Sequence, residues 1–347
     1  MSSQDFPDEH PTRSNELLSA LMARPDCGVL VELIALRGQG WDNKGLDNHF
    51  TKQRVTNETD RTSDVDQKWL NVMCTSMRQM NKIMKFVRTS RFLDIGCCPG
   101  GYSTYILQKC PTATGVGISL PFSQGGHGLA IPSNLLPRMQ IHMADMTCFN
   151  LAPPIPQPNL APIPFTPHTF DLVVCDGHHL RMNPDNDNRP WNWTRLLISQ
   201  LLLGLRAVSP GGTLFIKLSH IEKPLGARVL LALCRISRLV RAIKPRPVHA
   251  IRGTFYAIAQ HIQVDSDEFR ELVDTLEKLW YTMSFEGENG YGRPMTLEEE
   301  DYITSWDDLM SEEGQANIVR LGVRIWEIQR DALRKFLSSR GVSVTLT

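Results

Sequence analysis

Residues 91–104, Arg-Phe-Leu-Asp-Ile-Gly-Cys-Cys-Pro-Gly-Gly-Tyr-Ser-Thr, constrain the fold of this chain more than any other stretch. An apolar run (Phe92, Leu93, Ile95) leads into three glycines and a proline, and helix-like sequence resumes near Ser103. That order is strand, tight turn, helix. Gly96, Gly100 and Gly101 lack a Cβ, so a ligand can lie against the main chain there. The unpaired N–H groups of the following helix favour a carboxylate or phosphate. The spacing G-x-x-x-G-G is not G-x-G-x-x-G, and Asp94 lies inside the strand rather than ~20 residues beyond it, which argues against a dinucleotide. The turn therefore predicts a nucleotide-like cofactor; a glycine-rich turn without a ligand is the plain alternative.

Further strands are expected at residues 113–120, 139–143, 170–175, 213–218 and 254–261. Helices are expected at 102–109, 193–208 and 224–239, the last followed by basic turns. Strands alternating with helices imply a mostly parallel α/β sheet. Upstream, apolar residues at helical spacing (Trp69, Leu70, Met73, Met77, Met80, Met84) predict an amphipathic helix over 67–87. Residues 1–15 read as disordered, 15–22 as a short helix and 38–66 as a loop, while 27–36 is apolar and open between strand and helix. Seven prolines within 151–168 exclude a helix or central strand and mark a surface insertion. The tail reads as helices, notably 267–281 and 315–337. The expected division is a polar lead-in (1–64), an α/β domain (65–264) and an acidic helical extension (265–347).

No apolar run approaches the ~18 residues of a membrane span, and the polar, acidic first residues are unlike a secretory signal. Eight cysteines without a C-x-x-C pair fit a reduced, intracellular compartment, cytoplasmic or nuclear, and no metal site is expected. Net charge is zero but unevenly placed: residues 91–264 hold 16 Lys and Arg against 7 acids, and residues 265–347 hold 9 against 18. The pointed reading is a basic core suited to a polyanion and an acidic tail that shields that surface or docks a basic protein partner; solvated faces are the bland one. The basic stretch 217–252, with Arg228, Arg235, Arg238 and Arg241 on a helix face, could track an RNA backbone.

In open parallel sheets ligands bind beyond the carboxyl ends of the strands. The residues there are the 96–101 turn, Ser119, Asp145, Asp176 and Lys217. Asp145 and Asp176 each follow an apolar strand. Lys217 interrupts Leu-Phe-Ile-Lys-Leu, where an ammonium needs a partner or a task, unless it snorkels from the strand's end. His178 and His179 follow Asp176 in what reads as a solvated mouth loop.

Leu-Asp-Ile-Gly-Cys-Cys-Pro-Gly-Gly-Tyr-Ser, Asp-Leu-Val-Val-Cys-Asp-Gly and Pro-Gly-Gly-Thr-Leu-Phe-Ile-Lys-Leu together resemble the FtsJ-type (RrmJ-like) S-adenosylmethionine-dependent RNA 2′-O-methyltransferases. The resemblance covers roughly residues 65–264. It implies a Rossmann-like methyltransferase fold with helices on both faces, flanked here by helical N- and C-terminal extensions. It also implies S-adenosylmethionine as cofactor, with Asp94, Gly96, Pro99, Gly100, Gly101, Tyr102, Ser119, Asp145 and Asp176 around it. Asp176 and Lys217 match the middle two members of the family's Lys-Asp-Lys-Glu tetrad, with Lys217 accepting or steering a proton and Asp176 holding it. The first lysine should come from the helix before the glycine turn, where Lys68 and Lys82 are candidates. The final glutamate aligns near Thr254, where no acid stands, and Glu222 could substitute in space. Ser119 replaces the family's usual acid at the end of the second strand.

Two rival functions share these residues. One is methyl transfer to a small molecule. The other is a non-catalytic module that binds cofactor or RNA.

Overall fold

The computed structural model describes residues 11–41, 62–152, 160–179 and 189–342. Helices α1 (Pro11–Met22), α2 (Gly28–Trp41) and α3 (Ser63–Met84) precede strand β1 (Arg91–Ile95). Helix α4 (Gly101–Lys109) leads to β2 (Thr114–Ser119), β3 (Met139–Met143) and β4 (Phe170–Cys175). Then come α5 (Asn192–Ala207), β5 (Val208–Ser219), α6 (Pro224–Ile236), β6 (Ser237–Ile243), the short α7 (Arg246–His249) and β7 (Thr254–Ile262). Among the described residues four helices follow: α8 (Asp267–Phe285), α9 (Leu297–Asp301), α10 (Trp306–Met310) and α11 (Glu312–Ser339).

The strands form one sheet in the order β3-β2-β1-β4-β5-β7-β6, in which β7 runs antiparallel to both its neighbours. This is the mostly parallel, Rossmann-like sheet that the resemblance implies. Alternation along the strands shows that both faces are covered. Phe92, Leu172, Val174 and Phe215 join one apolar cluster with α3 and α4, whereas Leu93, Val173, Cys175 and Leu214 join another with α5 and α6. Trp280 of α8 and Trp326 of α11, both fully buried, belong to that second cluster together with leucines of α1 and α2. The helical ends of the chain thus complete one face of the sheet.

Several expectations change. Helix α1 starts at Pro11, so residues 11–15 are ordered, and the apolar stretch 27–36 lies almost wholly in α2. That helix and α3 also take both ends of the expected 38–66 loop; 42–61 lie outside the described residues, as do 153–159 of the proline-rich stretch. The segment read as helix end and basic turns is strand β6. Its pattern Ser-Arg-Leu-Val-Arg-Ala-Ile buries Ser237, Val240 and Ile243 and exposes Arg238 and Arg241, as an edge strand with one wet side permits. Among the described residues no helix is long and apolar enough to cross a membrane.

Candidate active site

Register assembles the site. Ile95 of β1 lies beside Cys175 of β4, and Cys175 beside Ile216 of β5, so the next residues on, Asp176 and Lys217, become neighbours. Lys217 is in turn paired with Tyr256 of β7. The ends of β1 and β4 meet where the strand order reverses, the position at which open α/β sheets bind ligands.

The Lys217 ammonium donates to the Asp176 carbonyl oxygen at 2.7 Å and sits 3.2 Å from Asp176 Oδ1. The Tyr256 hydroxyl donates to the same Oδ1 at 2.9 Å, and the Tyr102 hydroxyl donates to Tyr256 at 2.8 Å. The aspartate is therefore held by an ammonium and a phenol that is itself fixed in turn. Both tyrosines are buried, and burial followed by the nearby Asp176 charge raises their pKa values well above the usual phenol range. They act as hydrogen-bond donors. Phe215 stacks on Tyr256 with ring centres 4.6 Å apart, which fixes the ring's plane. Lys217 thus has a partner, and its side chain stays 16% exposed. Among the described residues Asp176 is the acid in contact with it.

The glycine turn is built as its composition requires. A Cβ on Gly96 would lie 2.6 Å from the Gly177 nitrogen, so this position lets the β1 and β4 loops meet. Gly100 enters α4 at φ +114°, where any side chain would also strike Ile131. The Cys98–Pro99 peptide between them is cis. Ser119 Oγ accepts the Cys98 N–H at 3.4 Å. Asp145 follows β3 and caps a short turn, its Oδ1 accepting the Thr147 N–H and hydroxyl, both at 2.8 Å. These residues ring the turn.

Other sequence candidates stand elsewhere. Asp94 is 1% exposed and lies beneath the turn, bracing α4 by accepting the Ser103 hydroxyl at 2.6 Å. Burial lifts its carboxyl to about 7, with the Ser103 bond opposing and Asp176 adding to the rise. Tyr102 points into the core toward Tyr256, and Gly101 packs on Leu70 and Met73 of α3. Lys68 and Lys82 are exposed on α3, and no contact joins either to Lys217 or Asp176 among the described residues. Glu222 cannot serve as the missing acid. Its carboxylate takes the Arg37 guanidinium at 2.6 Å, the Trp326 indole N–H at 3.1 Å and His220 Nδ1 at 3.1 Å. Burial pushes its pKa up, but Arg37 and His220 outweigh this and hold it well below the usual range. At Thr254, where the family pattern has an acid, the backbone carbonyl accepts the buried Lys244 ammonium at 2.6 Å.

The basic helix face also dissolves. Arg228 is buried against Asp301 and the Thr304 carbonyl, and Arg235 pairs with Asp308 at 2.9 Å. Arg238 and Arg241 sit on β6, not on a helix. The acidic C-terminal segment directs these carboxylates at arginines of its own chain. Arg206–Glu277 and Arg24–Glu312 are further such pairs.

Tyr256 and His249 were missed. A hydroxyl inside the apolar run Phe-Tyr-Ala-Ile-Ala, expected in a strand beside that of Lys217, was the available signal, since a buried phenol needs a partner. His249, 3.4 Å from the Tyr256 hydroxyl, had no comparable local mark.

Among solved structures the chain is similar to a protein described as a ribosomal RNA methyltransferase from Plasmodium falciparum, at 16% identity and TM-score 0.38, covering 55% of this chain and 96% of that one. It is also similar to a TehB-like S-adenosylmethionine-dependent methyltransferase from Corynebacterium glutamicum, at 15% identity and TM-score 0.32, covering 62% and 97%. Likenesses this distant carry no argument about activity. No curated protein matches the sequence. Residues 76–249, half of the chain and the part that holds the glycine turn, Asp176 and Lys217, match the FtsJ-like methyltransferase family, and the chain belongs to that family of S-adenosylmethionine-dependent methyltransferases.

Proposed function

We propose that this protein transfers a methyl group from S-adenosylmethionine to a ribose 2′-hydroxyl of RNA. The observation that carries the reading is the Asp176–Lys217 pair, set at the strand ends beside the glycine turn of an FtsJ-like methyltransferase. The residues present fit the cofactor. The first-turn N–H groups of α4 have no acceptor within the helix and suit its carboxylate, while Ser119 and Asp145 offer oxygens at neighbouring strand ends for hydroxyl and amino groups. When bound, S-adenosylmethionine supplies an electrophilic methyl carbon on a cationic sulfur. Lys217 then orients the substrate hydroxyl and accepts or steers its proton. In that step Lys217 works as the free amine, having released one proton to solvent: its two remaining N–H groups go to Asp176, and its lone pair faces the partly exposed side, where it takes the proton of the substrate hydroxyl. Asp176, held by Tyr256, keeps the amine in place.

A second reading rests on Thr254 standing where the family has an acid: a module that binds cofactor or RNA without turnover. Tritiated methyl transfer to total RNA, followed by alkaline hydrolysis, separates the possibilities. A 2′-O-methyl group removes the hydroxyl that alkaline cleavage requires, so label should emerge in alkali-stable dinucleotides. Label in mononucleotides would contradict ribose methylation. Cofactor binding by calorimetry without label on RNA would favour a small-molecule substrate or the non-catalytic module. Gly100→Arg should abolish cofactor binding.

A further inference from the structure

Two basic segments of the chain contain no acid. Residues 67–93 hold six Lys and Arg, and residues 223–264 hold eight. The fold lays them side by side: the Arg246 N–H donates to Gln79 Oε1 at 3.2 Å, and the Arg241 guanidinium reaches the Met84 sulfur at 4.0 Å. The cations of the second segment then divide. Arg228 and Arg235 on α6 are closed off by acids of the C-terminal helices, and Lys244 is buried on backbone carbonyls. By contrast Arg238, Arg241 and Arg246 are exposed, with no carboxylate partner among the described residues.

Helix α3 adds a matching row. Arg78 and Lys82 are spaced i, i+4 on one face of α3, Lys85 follows at its C-terminal cap, and all three are exposed. Arg78 lies over the Tyr105 ring and touches the Cys74 sulfur, and none of the three meets an acid among the described residues. Arg78 to Lys82 spans about 6 Å at ~1.5 Å per residue; Arg241, on the face of β6 that meets α3, and Arg246 continue the track, whereas Arg238, three residues before Arg241, points to the other face of the sheet. The upper end of this surface adjoins the reactive pair. Arg246 begins α7, whose last residue, His249, is 3.4 Å from the Tyr256 hydroxyl that donates to Asp176.

We infer that this track along α3, β6 and α7 is the surface on which the RNA backbone lies, leading the strand to Lys217. The inference rests on the RNA reading above and moves the expected contact away from α6. Unpaired cations in acid-free surroundings suit a polyanion, and phosphate contacts make such binding steeply salt-dependent.

The test is the affinity of the full chain for a short single-stranded RNA, titrated between about 50 and 200 mM salt. With five phosphate contacts, log K should fall against log salt with a slope of about −3.5. The quadruple variant Lys82→Gln, Lys85→Gln, Arg241→Gln, Arg246→Gln should lower affinity at least about tenfold and flatten the slope by about 3. Its melting temperature and cofactor binding should not change. Arg324→Gln with Lys335→Gln on α11 should leave the slope as in wild type. A quadruple variant with the wild-type slope overturns the track. So does a variant that loses binding to phosphatidylserine vesicles while its RNA affinity is intact, because the partner is then a lipid surface. If wild type labels RNA and Lys217→Ala does not, the methyltransferase reading survives that failure. If wild type shows no salt-dependent RNA binding, both fall.

Discussion

Two buried polar networks lie five residues apart on the chain and do opposite work. At Lys217, the ammonium, Asp176 and Tyr256 form a chain of bonds that still opens to solvent, the lysine side chain being 16% exposed. At Glu222, the carboxylate meets Arg37, His220 and Trp326 in a closed interior where both members of the ion pair are 5% exposed. The first network joins strand ends of one sheet. The second ties α2, the loop after β5 and α11 together, and so fastens the helical ends of the chain to the sheet. The proposed function thus assigns chemistry to the pair that keeps an open side, and the structure assigns architecture to the pair that does not.

Variants should separate the two. Glu222→Gln keeps the shape but strands the Arg37 charge in the interior. We expect a loss of about 3–5 kcal/mol in unfolding free energy, read by denaturant titration, with methyl transfer per folded molecule unchanged. Equal loss of transfer and stability would merge the two networks. Asp94 sharpens the comparison from beneath the turn. Its carboxyl rises from an ordinary 3.8 to about 7, so between those values the folded state holds a proton that the unfolded chain has released. Stability should accordingly decline as pH rises from about 4 to about 7, by on the order of 4 kcal/mol from this group. In Asp94→Asn that decline should disappear; an unchanged pH profile of unfolding would show that Asp94 is not the source. Tyr256→Phe removes one donor to Asp176 without altering the stacked ring. Transfer should fall about tenfold, the equivalent of one good hydrogen bond to a charged group, while cofactor affinity stays put. A stability loss without a rate loss would make Tyr256 a core residue only.

Much of this was written locally. The glycine turn and the apolar strands ending in Asp176 and Lys217 are contiguous motifs, and the period-2 and 3.6 patterns placed most of the sheet and its helices. What escaped depends on distant partners. Glu222 looked available because Arg37 lies 185 residues before it and Trp326 lies 104 after it. Arg228 looked like a surface cation because Asp301 is 73 residues away. Strand β6 was read as the end of the preceding helix and basic turns because its two exposed arginines break the apolar run. Asp94 and Tyr102 stand in the motif yet face inward, since a turn that holds a ligand needs its own support from below.

The most direct measurement is single-turnover methyl transfer to RNA by Lys217→Ala, with cofactor binding measured calorimetrically on the same preparation. Cofactor affinity should stay within about twofold, and the rate should drop by roughly 10²–10⁴, the usual contribution of a positioned proton acceptor. Transfer at the wild-type rate would contradict the account, because the open network would then be as structural as the closed one.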